Sequence, residues 1–375
     1  MKNVSDTDSV ARTAIEVSLN ARRGENVLIH GWEHTLDLMS KLAWHCRRRG
    51  CNVMLSIQPE DLWFKSIMTS PLNLLENPPD QLIAALEKSQ AYVFTLGPRK
   101  PIPWKKIPES RRGAVSVWLD RRYDRSRFAA KWATVAKKYG VRMLAIEATL
   151  ATPERAKSLG LDFNEWRKVM LVGCTADWKS VSRRAKRLVR LLSGQETVHL
   201  TTPKGTKLDF RLDRRKVEYS DGLTSEEKTG KGFVTFLPSG GIDVSIDEQS
   251  AEGRIVYDLP IRPPGRTVRN LKLDIQGGQV IEFDAEEGKD AFEEYLSNGH
   301  DAGRLGSFGL GLNPNLRFGF TQDDKVLGGA TIGLGDNKQK GGRNRADGNE
   351  WWGVVSEATL IIGKTKVLQH GRFTC

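Results

Sequence analysis

The sequence predicts an α/β fold in two domains: an N-terminal doubly wound parallel-sheet domain at 1–194, then a β-rich α+β domain at 195–375. The chain has 375 residues, which exceeds the size at which a single hydrophobic core stops growing. Up to residue 192, short apolar runs alternate with helical patterns, as in strand–helix–strand units. After Ser193-Gly194 the strand patterns follow one another through glycine-containing turns.

The first domain is predicted from uninterrupted apolar runs. A sheet with one solvent-exposed face would show alternating apolar and polar residues instead. The runs at 26–30 and 52–57 flank a helical pattern at 35–48, which together form one strand–helix–strand unit. Further strands are predicted at 91–96, 114–119 and 141–146, and helices at 79–88, 125–138, 163–172 and 178–192. No glycine-rich nucleotide fingerprint follows the first strand, where His30 and His34 stand instead. Histidines at a strand end are typically structural, so neither is expected to bind metal.

The second domain is predicted from short strand patterns with a single helix. Strands are expected at 197–201, 206–210, 233–237, 242–246, 253–258, 271–276, 280–284, 352–362 and 366–373, and a helix at 289–298. Thirteen glycines lie between Gly303 and Gly353. In a β-rich domain this density predicts tight turns or a close approach of backbone to something bound.

The positive charge belongs to the first part of the chain. Residues 1–200 contain 34 Lys and Arg against 20 Asp and Glu, although the net charge of the whole chain is +12. Two readings remain open: solvated helix faces, or a surface that attracts an acidic partner. The sequence contains no zinc-finger, KH or aromatic-glycine RNA-binding motif, so nucleic acid is not the expected partner.

A cytoplasmic location is expected. The first residues lack the apolar run of a signal peptide, and no apolar stretch reaches membrane-spanning length, so no membrane partner is expected. The four cysteines show neither metal-ligand spacing nor a disulfide framework.

Five short motifs in the second half of the chain carry a family resemblance. They are Leu-Pro-x-Gly at 237–240, Gly-x-Gly-x-Asn-Pro at 309–314, Asp-Asp-Lys-Val-Leu-Gly at 323–328, Ile-Gly-Leu-Gly-Asp-Asn at 332–337 and Gly-Gly-x-Asn at 341–344. Their order and spacing resemble the C-terminal domain of the aminopeptidase T family, leucyl-aminopeptidase-like enzymes that use two metal ions. The unit at 20–57 resembles that family's N-terminal domain, so the resemblance extends nearly end to end.

The resemblance implies where the metal ligands of the family would stand. The glutamate positions carry Gly241 and Ser307, and the first histidine position carries Thr331. The later His-x-Asp pair falls on Asn349 or Glu350 and on Trp351 or Trp352. Glycine and tryptophan are not ligands and hydroxyls are weak ones, so no metal and no other cofactor is expected. The sequence therefore indicates a pseudo-aminopeptidase rather than an enzyme.

Three functions remain open at this stage. The first is a non-catalytic peptide-binding protein that uses these positions, whose basic domain favours an acidic peptide such as the leader or precursor of a ribosomally made natural product. The second is a metal-independent enzyme that acts through Asp323, Asp324, Lys325, Asp336 and Glu350. The third is a metallo-aminopeptidase with displaced ligands Asp323, Asp324, Glu350 and His300. The resemblance also implies a homodimer.

Overall fold

The computed structural model describes residues 6–113, 127–263, 265–346 and 349–374. These residues form two compact units. The first comprises Met1–Trp178 with Gly222–Ser239, and the second comprises Lys179–Asp221 with Gly240–Cys375. The predicted strand at 114–119 and the first two residues of the predicted helix at 125–138 lie outside the described residues.

The first unit is a parallel sheet with helices in its connections. The sheet has the strand order β2-β1-β3-β4-β7, and every neighbouring pair is parallel. Its strands are β1 Asn26–Trp32, β2 Asn52–Gln58, β3 Ala91–Thr95, β4 Arg142–Ile146 and β7 Val234–Leu237. The helices are α1 Thr7–Arg12, α2 Leu36–Arg48, α3 Glu60–Thr69, α4 Leu72–Leu75, α5 Asp80–Glu87, α6 Glu109–Arg112, α7 Arg127–Lys138, α8 Pro153–Leu159, α9 Phe163–Gly173 and α11 Glu226–Gly230.

The core of this unit forms where apolar strands meet apolar helix faces. The central strand β3 is buried at all five positions, as expected for a strand covered on both sides. One cluster joins Tyr92 and Phe94 of β3 to Leu86 of α5 and Trp132 of α7. The predicted parallel-sheet domain is therefore confirmed.

The second unit is dominated by antiparallel pairing. One path of its sheet runs β14-β13-β12-β8-β6-β5-β15-β16-β17, and β9, β10 and β11 branch from β6. The strands are β5 Thr197–Thr201, β6 Lys207–Ser220, β8 Gly241–Ile246, β9 Glu252–Tyr257, β10 Leu271–Gln276, β11 Gln279–Asp284, β12 Leu305–Gly311, β13 Ala330–Gly335, β14 Glu350–Val355, β15 Thr359–Ile362, β16 Thr365–Gln369 and β17 Arg372–Phe373. The helices are α10 Trp178–Leu192 and α12 Lys289–Leu296.

The structure differs from the sequence expectations in several places. Helix α10, expected in the first domain, belongs to the second unit from Lys179 onward, and the strand expected at 366–373 is β16 and β17. Strand β7, expected in the β-rich domain, pairs with β4 in the parallel sheet of the first unit, so 195–239 is not wholly part of the second unit. The single strand expected at 352–362 is two strands, because Glu357 adopts φ +50° between β14 and β15. The glycine-rich motifs at 309–314 and 332–337, expected as turns, begin within β12 and β13 and continue beyond the ends of these strands.

None of the helices in the described part of the chain is both long enough and apolar enough to span a membrane.

Candidate functional site

Four neighbouring strands of the second unit carry the candidate positions. Strands β8, β12, β13 and β14 pair in this order, and Asp243, Gly309, Thr331 and Val354 form one row across them. Successive side chains of a strand point to opposite faces, so every second residue from this row shares its side. We call this surface the sheet face. It is formed by Gly241, Asp243, Ser245, Ser307, Gly309, Gly311, Thr331, Gly333, Gly335, Glu350, Trp352 and Val354.

The sheet face brings together the positions that the sequence singled out. Gly241 pairs with Gly311 at one end, and Ser307 pairs with Gly333. Thr331 of β13 pairs with Gly309, two residues along β12 from Ser307, and its Oγ1 is buried without a hydrogen-bond partner among the described residues. Of the alternatives on β14, the register places Glu350 and Trp352 on this face, opposite Gly335 and Gly333.

The other two alternatives are structural. Trp351 points to the opposite side of the sheet, where its ring lies 5.1 Å from that of Phe292 and 5.2 Å from that of Tyr295. Trp351 is 6% exposed, whereas Trp352 is 36% exposed. Asn349 precedes β14, and its side chain donates to the carbonyl of Asn298. Trp351 therefore belongs to the core of the second unit, and Asn349 holds a turn.

A lysine occupies the sheet face between two carboxylates. The Nζ of Lys340 lies 3.2 Å from Oε1 of Glu350 and 3.5 Å from Oδ1 of Asp243. Asp243 is on β8 and Glu350 is on β14, so an amino group near both lies over the inner strands β12 and β13. Ser307 of β12 is on the inner part of that face. The protein thus places its own cation near positions where the family resemblance implies metal ions.

The loop that carries Lys340 is fixed by two buried asparagines. Nδ2 of Asn337 donates to Oγ of Ser245 at 2.8 Å and to the carbonyl of Gly306 at 3.0 Å. Nδ2 of Asn344 donates to the carbonyls of Gly335 at 2.8 Å and Leu305 at 3.1 Å. Both side chains are 2% exposed. The conformation of 336–346 is therefore set by side chains, which gives Lys340 a defined position.

An ion pair anchors the same loop. Arg215 and Glu248 form a two-point pair, with Nη2 and Oε2 2.7 Å apart, and Oε1 of Glu248 accepts from the amide of Arg343 at 2.7 Å. Burial alone would raise the pKa of Glu248, but the hydrogen bonds from Arg215, Arg343 and Asn337 lower it to about 2. Glu248 is consequently a carboxylate over the whole physiological range.

Two glycines, Gly240 and Gly311, show why the second unit needs glycine in the motifs at 237–240 and 309–314. A Cβ on Gly311 would lie 1.9 Å from the carbonyl oxygen of Val326, so no other residue fits there. Gly240 has φ +111°, and a Cβ there would lie 2.8 Å from that of Asn313. The Leu-Pro-x-Gly turn and the Gly-x-Gly-x-Asn-Pro segment are therefore packed backbone against backbone. The glycine density reflects close packing within the protein at these positions.

The polar candidates outside the four strands have structural contacts. Asp323 is 5% exposed, and its Oδ1 accepts from the amides of Gly319 at 2.8 Å and Phe320 at 3.1 Å. Burial raises the pKa of Asp323 to about 7, against the lowering effect of those amides. Asp324 and Lys325 follow in the same short 3₁₀ turn. Asp336 accepts from the amide of Lys338 at 3.0 Å, which closes a turn.

The sheet face does not fit the metal pair that the resemblance implies. Gly241 and Trp352 provide no ligand atom, and Ser307 and Thr331 provide only hydroxyls. The two carboxylates of the face, Asp243 and Glu350, share the amino group of Lys340. In the described part of the chain, no three His, Cys, Asp or Glu side chains group as a metal ion requires, and this includes the displaced set with His300.

Sequence reasoning missed Asp243 and Lys340. Asp243 could have been found, because it lies two residues from Gly241 in a strand and therefore shares its face. Lys340 gave no signal, because only the folded loop brings it to residues 97 positions earlier and 10 positions later.

The fold agrees with comparisons to known proteins. AmpT from Thermus thermophilus has the same fold, with a TM-score of 0.68 and 16% identity over 98% of this chain and 99% of that chain. The 2,5-dihydroxypyridine dioxygenase from Pseudomonas putida also shares it, with a TM-score of 0.62 and 15% identity over 98% of this chain and 96% of that chain.

Sequence comparisons identify the family. Aminopeptidase PepS from Streptococcus thermophilus is 24% identical over 135 residues, which span 36% of this chain and only 32% of that relative. The model of the thermophilic metalloprotease (M29) family matches residues 4–316, which is most of the chain. The chain therefore belongs to the thermophilic metalloprotease (M29) family, as a divergent member whose described residues contain no group fit to hold a metal ion.

Proposed function

We propose that the protein is a non-catalytic peptide-binding protein that holds an extended peptide against the sheet face. The observation that carries this proposal is the placement of Lys340 between Asp243 and Glu350, on the face where the resemblance implies metal ligands. A protein with an aminopeptidase-like fold but without metal-ligand side chains is suited to binding a peptide rather than to metal-assisted hydrolysis.

The edge of the sheet supports an extended ligand. Among the described strands, β14 is the last in its path and pairs within the sheet only with β13. An unpaired strand edge can add a peptide strand, and each backbone hydrogen bond contributes about 1 kcal/mol net. An apolar side chain against Trp352 adds about 2 kcal/mol by burial. These gains oppose several kcal/mol of ordering entropy, so micromolar affinity is expected.

The charge of the chain supports an acidic peptide. The surplus of Lys and Arg in residues 1–200 accelerates the encounter with an acidic partner, and salt screens that effect over about 8 Å at physiological ionic strength. We therefore expect the association rate to fall as salt rises. A precursor peptide of a ribosomal pathway, a homodimeric state and a cytoplasmic location remain predictions of the sequence.

Fluorescence anisotropy with a labelled peptide of alternating glutamate and leucine tests the proposal. Micromolar binding is expected, with at least a tenfold loss in Thr331→Arg, which fills the sheet face, and a smaller loss in Trp352→Ala. Ile281→Ala is the matched control, because Ile281 is 62% exposed on β11 and distant in the sheet order. Equal binding by wild type and both variants, with folds intact by circular dichroism, would disprove the site.

Mass spectrometry separates binding from chemistry. The peptide is incubated with the protein alone and with added zinc, manganese or cobalt, and intact recovery is expected in every case. Cleavage without metal would favour the metal-independent enzyme instead. Cleavage only with metal would restore the metallo-aminopeptidase alternative.

A further inference from the structure

The first unit contains a pocket that the proposed function does not use. It has a volume of about 600 Å³, within the range of small-molecule sites. Its floor is one face of the parallel sheet, where His30 pairs in register with Ser56 of β2 and Phe94 of β3. Its walls come from helices α3, α4, α5 and α7. The whole lining therefore belongs to one compact unit.

The position of the pocket in the sheet is typical of a ligand site. In the strand order β2-β1-β3-β4-β7, the chain adds β2 on one side of β1 and β3 on the other, so the topological switch point lies between β1 and β3. Doubly wound sheets bind ligands outside the carboxyl ends of the strands at such a point. Trp32 at the end of β1, Gln58 at the end of β2 and Thr95 at the end of β3 all line the pocket.

The lining is uncharged. None of the described residues that line the pocket is Asp, Glu, Lys or Arg, although these make up 28% of the chain. Aromatic rings in contact with one another form much of the wall: Trp32 with Trp63 at 5.2 Å between ring centroids, and Tyr92 with Trp132 at 4.9 Å. Such rings offer large rigid apolar surfaces at low cost in conformational entropy. A charged ligand would lose its hydration here without gaining a counter-ion.

His30 is one of several polar residues in the lining, which also include Ser56, Gln58, Asn77 and Gln81. Nδ1 of His30 lies 3.0 Å from Oγ of Ser56, and the ring makes no other hydrogen bond among the described residues. Burial lowers the pKa of His30 to about 4, so the ring is neutral at pH 7. Its second nitrogen is available for one hydrogen bond to a neutral ligand.

The mouth of the pocket is also apolar. Met54, Ile57, Leu62 and Leu74 line it and are 53%, 47%, 58% and 65% exposed. Large exposed apolar residues that surround a cleft typically mark a binding site. From the lining, the mouth and the place in the sheet, we infer that the pocket is a second binding site, for an uncharged, largely aromatic small molecule held by ring contacts and one hydrogen bond to His30.

The charge preference can be tested with two probes that share one ring system. N-phenyl-1-naphthylamine is uncharged and becomes fluorescent when buried, and 8-anilinonaphthalene-1-sulfonate adds one negative charge. The pocket should bind the uncharged probe at one saturable site, at least tenfold more tightly than the sulfonate. The net charge of +12 favours the sulfonate elsewhere, so a preference for the neutral probe is diagnostic. Equal or tighter binding of the sulfonate would overturn the inference.

Variants locate the site. Ser66→Trp places a bulky ring in the pocket from α3, and it should weaken the uncharged probe at least tenfold. Ser40→Trp is the control, because Ser40 is exposed on α2 and does not line the pocket. Leu74→Glu puts a charge at the exposed mouth, so it tests the same site without disturbing the core, and a several-fold loss is expected. Unchanged binding in folded Ser66→Trp, or in Leu74→Glu if Ser66→Trp does not fold, would overturn the inference.

Discussion

The sheet face and the apolar pocket differ in their charged residues: the sheet face contains paired charges, and the described lining of the pocket contains none. On the sheet face, Lys340 pairs with Asp243 and Glu350, and Arg215 with Glu248 holds the loop in place. In the pocket, no described lining residue is charged. A surface whose charges are compensated within the protein can still offer hydrogen bonds to a polar chain. A surface without charges can recognise shape, apolar area and neutral hydrogen-bonding groups, such as a partner for His30. One chain therefore offers two different kinds of selectivity.

The largest effect is expected from breaking the buried pair of Arg215 and Glu248, which anchors the loop of Lys340. Glu248→Ala should lower the free energy of unfolding by about 3 kcal/mol at pH 7, because Arg215 would remain buried with only the half-exposed Asp213 as its counter-ion. Denaturant unfolding measures this, and Glu293→Ala on the exposed side of α12 is the control. A loss under about 1 kcal/mol would mean that the ion pair of Arg215 and Glu248 contributes little to the stability of the fold.

The pH dependence of that contribution has a definite sign. The folded pKa of Glu248 is depressed to about 2 from the ordinary 4.5, so its stabilisation is present above pH 4.5 and is lost as pH falls toward 2. The difference in stability between wild type and Glu248→Ala should therefore shrink over this window. A difference that stays constant from pH 5 to pH 2.5 would contradict the assignment.

Asp323 is expected to behave in the opposite way, because it is buried without a full ion pair in the second unit. Its folded pKa is raised from 3.8 to about 7, so the stability it contributes is complete below pH 3.8 and is lost as pH rises through 7. Asp323→Asn keeps the acceptor oxygen and removes the charge, so it should be about 2–4 kcal/mol more stable than wild type at pH 8. At pH 4 the two should differ little, and equal stabilities at pH 8 would refute the prediction.

Removing the cation of the sheet face should have a smaller effect. Lys340→Met leaves Asp243 and Glu350 without their shared partner, and about 1–2 kcal/mol of stability should be lost. The loss is limited because Asp243 is 43% exposed to screening by solvent. Lys364→Met in an exposed turn is the control. Thermal unfolding at low and high salt distinguishes an ionic effect, since only the ionic part weakens with salt.

The smallest effect is expected from metal removal. Dialysis against a chelator should leave the melting temperature unchanged, because the sheet face offers too few donors to hold an ion that stabilises the fold. Elemental analysis should find less than one zinc, manganese or cobalt per chain. One or two ions per chain that disappear in Ser307→Ala or Thr331→Ala would make the sheet face a metal site after all.

The features of the fold that could be predicted from the sequence are those with a local signal. The strands of the parallel sheet could be recognised because burial on both faces produces continuous apolar runs, such as 91–95. The glycine motifs could be recognised because a backbone contact like that of Gly311 with Val326 excludes every side chain. Both signals are local, so a single sequence contains them.

The remainder depends on which segments meet. The choice between Trp351 and Trp352 required the register of β14 against β13, which no residue of β14 reveals alone. The contact of Lys340 with Asp243 and the lining of the apolar pocket join residues far apart in sequence. Such convergence results from tertiary packing, so composition and periodicity could not predict it.

The placement of β7 has a consequence for how the chain is made. The parallel sheet is completed by Val234–Leu237, after β5 and β6 of the second unit have been synthesised. During translation, the apolar strand β4 therefore has no neighbour on one side until residue 237 has left the ribosome. An unpaired strand edge in a nascent chain is an aggregation hazard that chaperones counteract. A gene truncated at residue 194 would make that exposure permanent, so it should yield insoluble protein unless 222–239 is supplied as well.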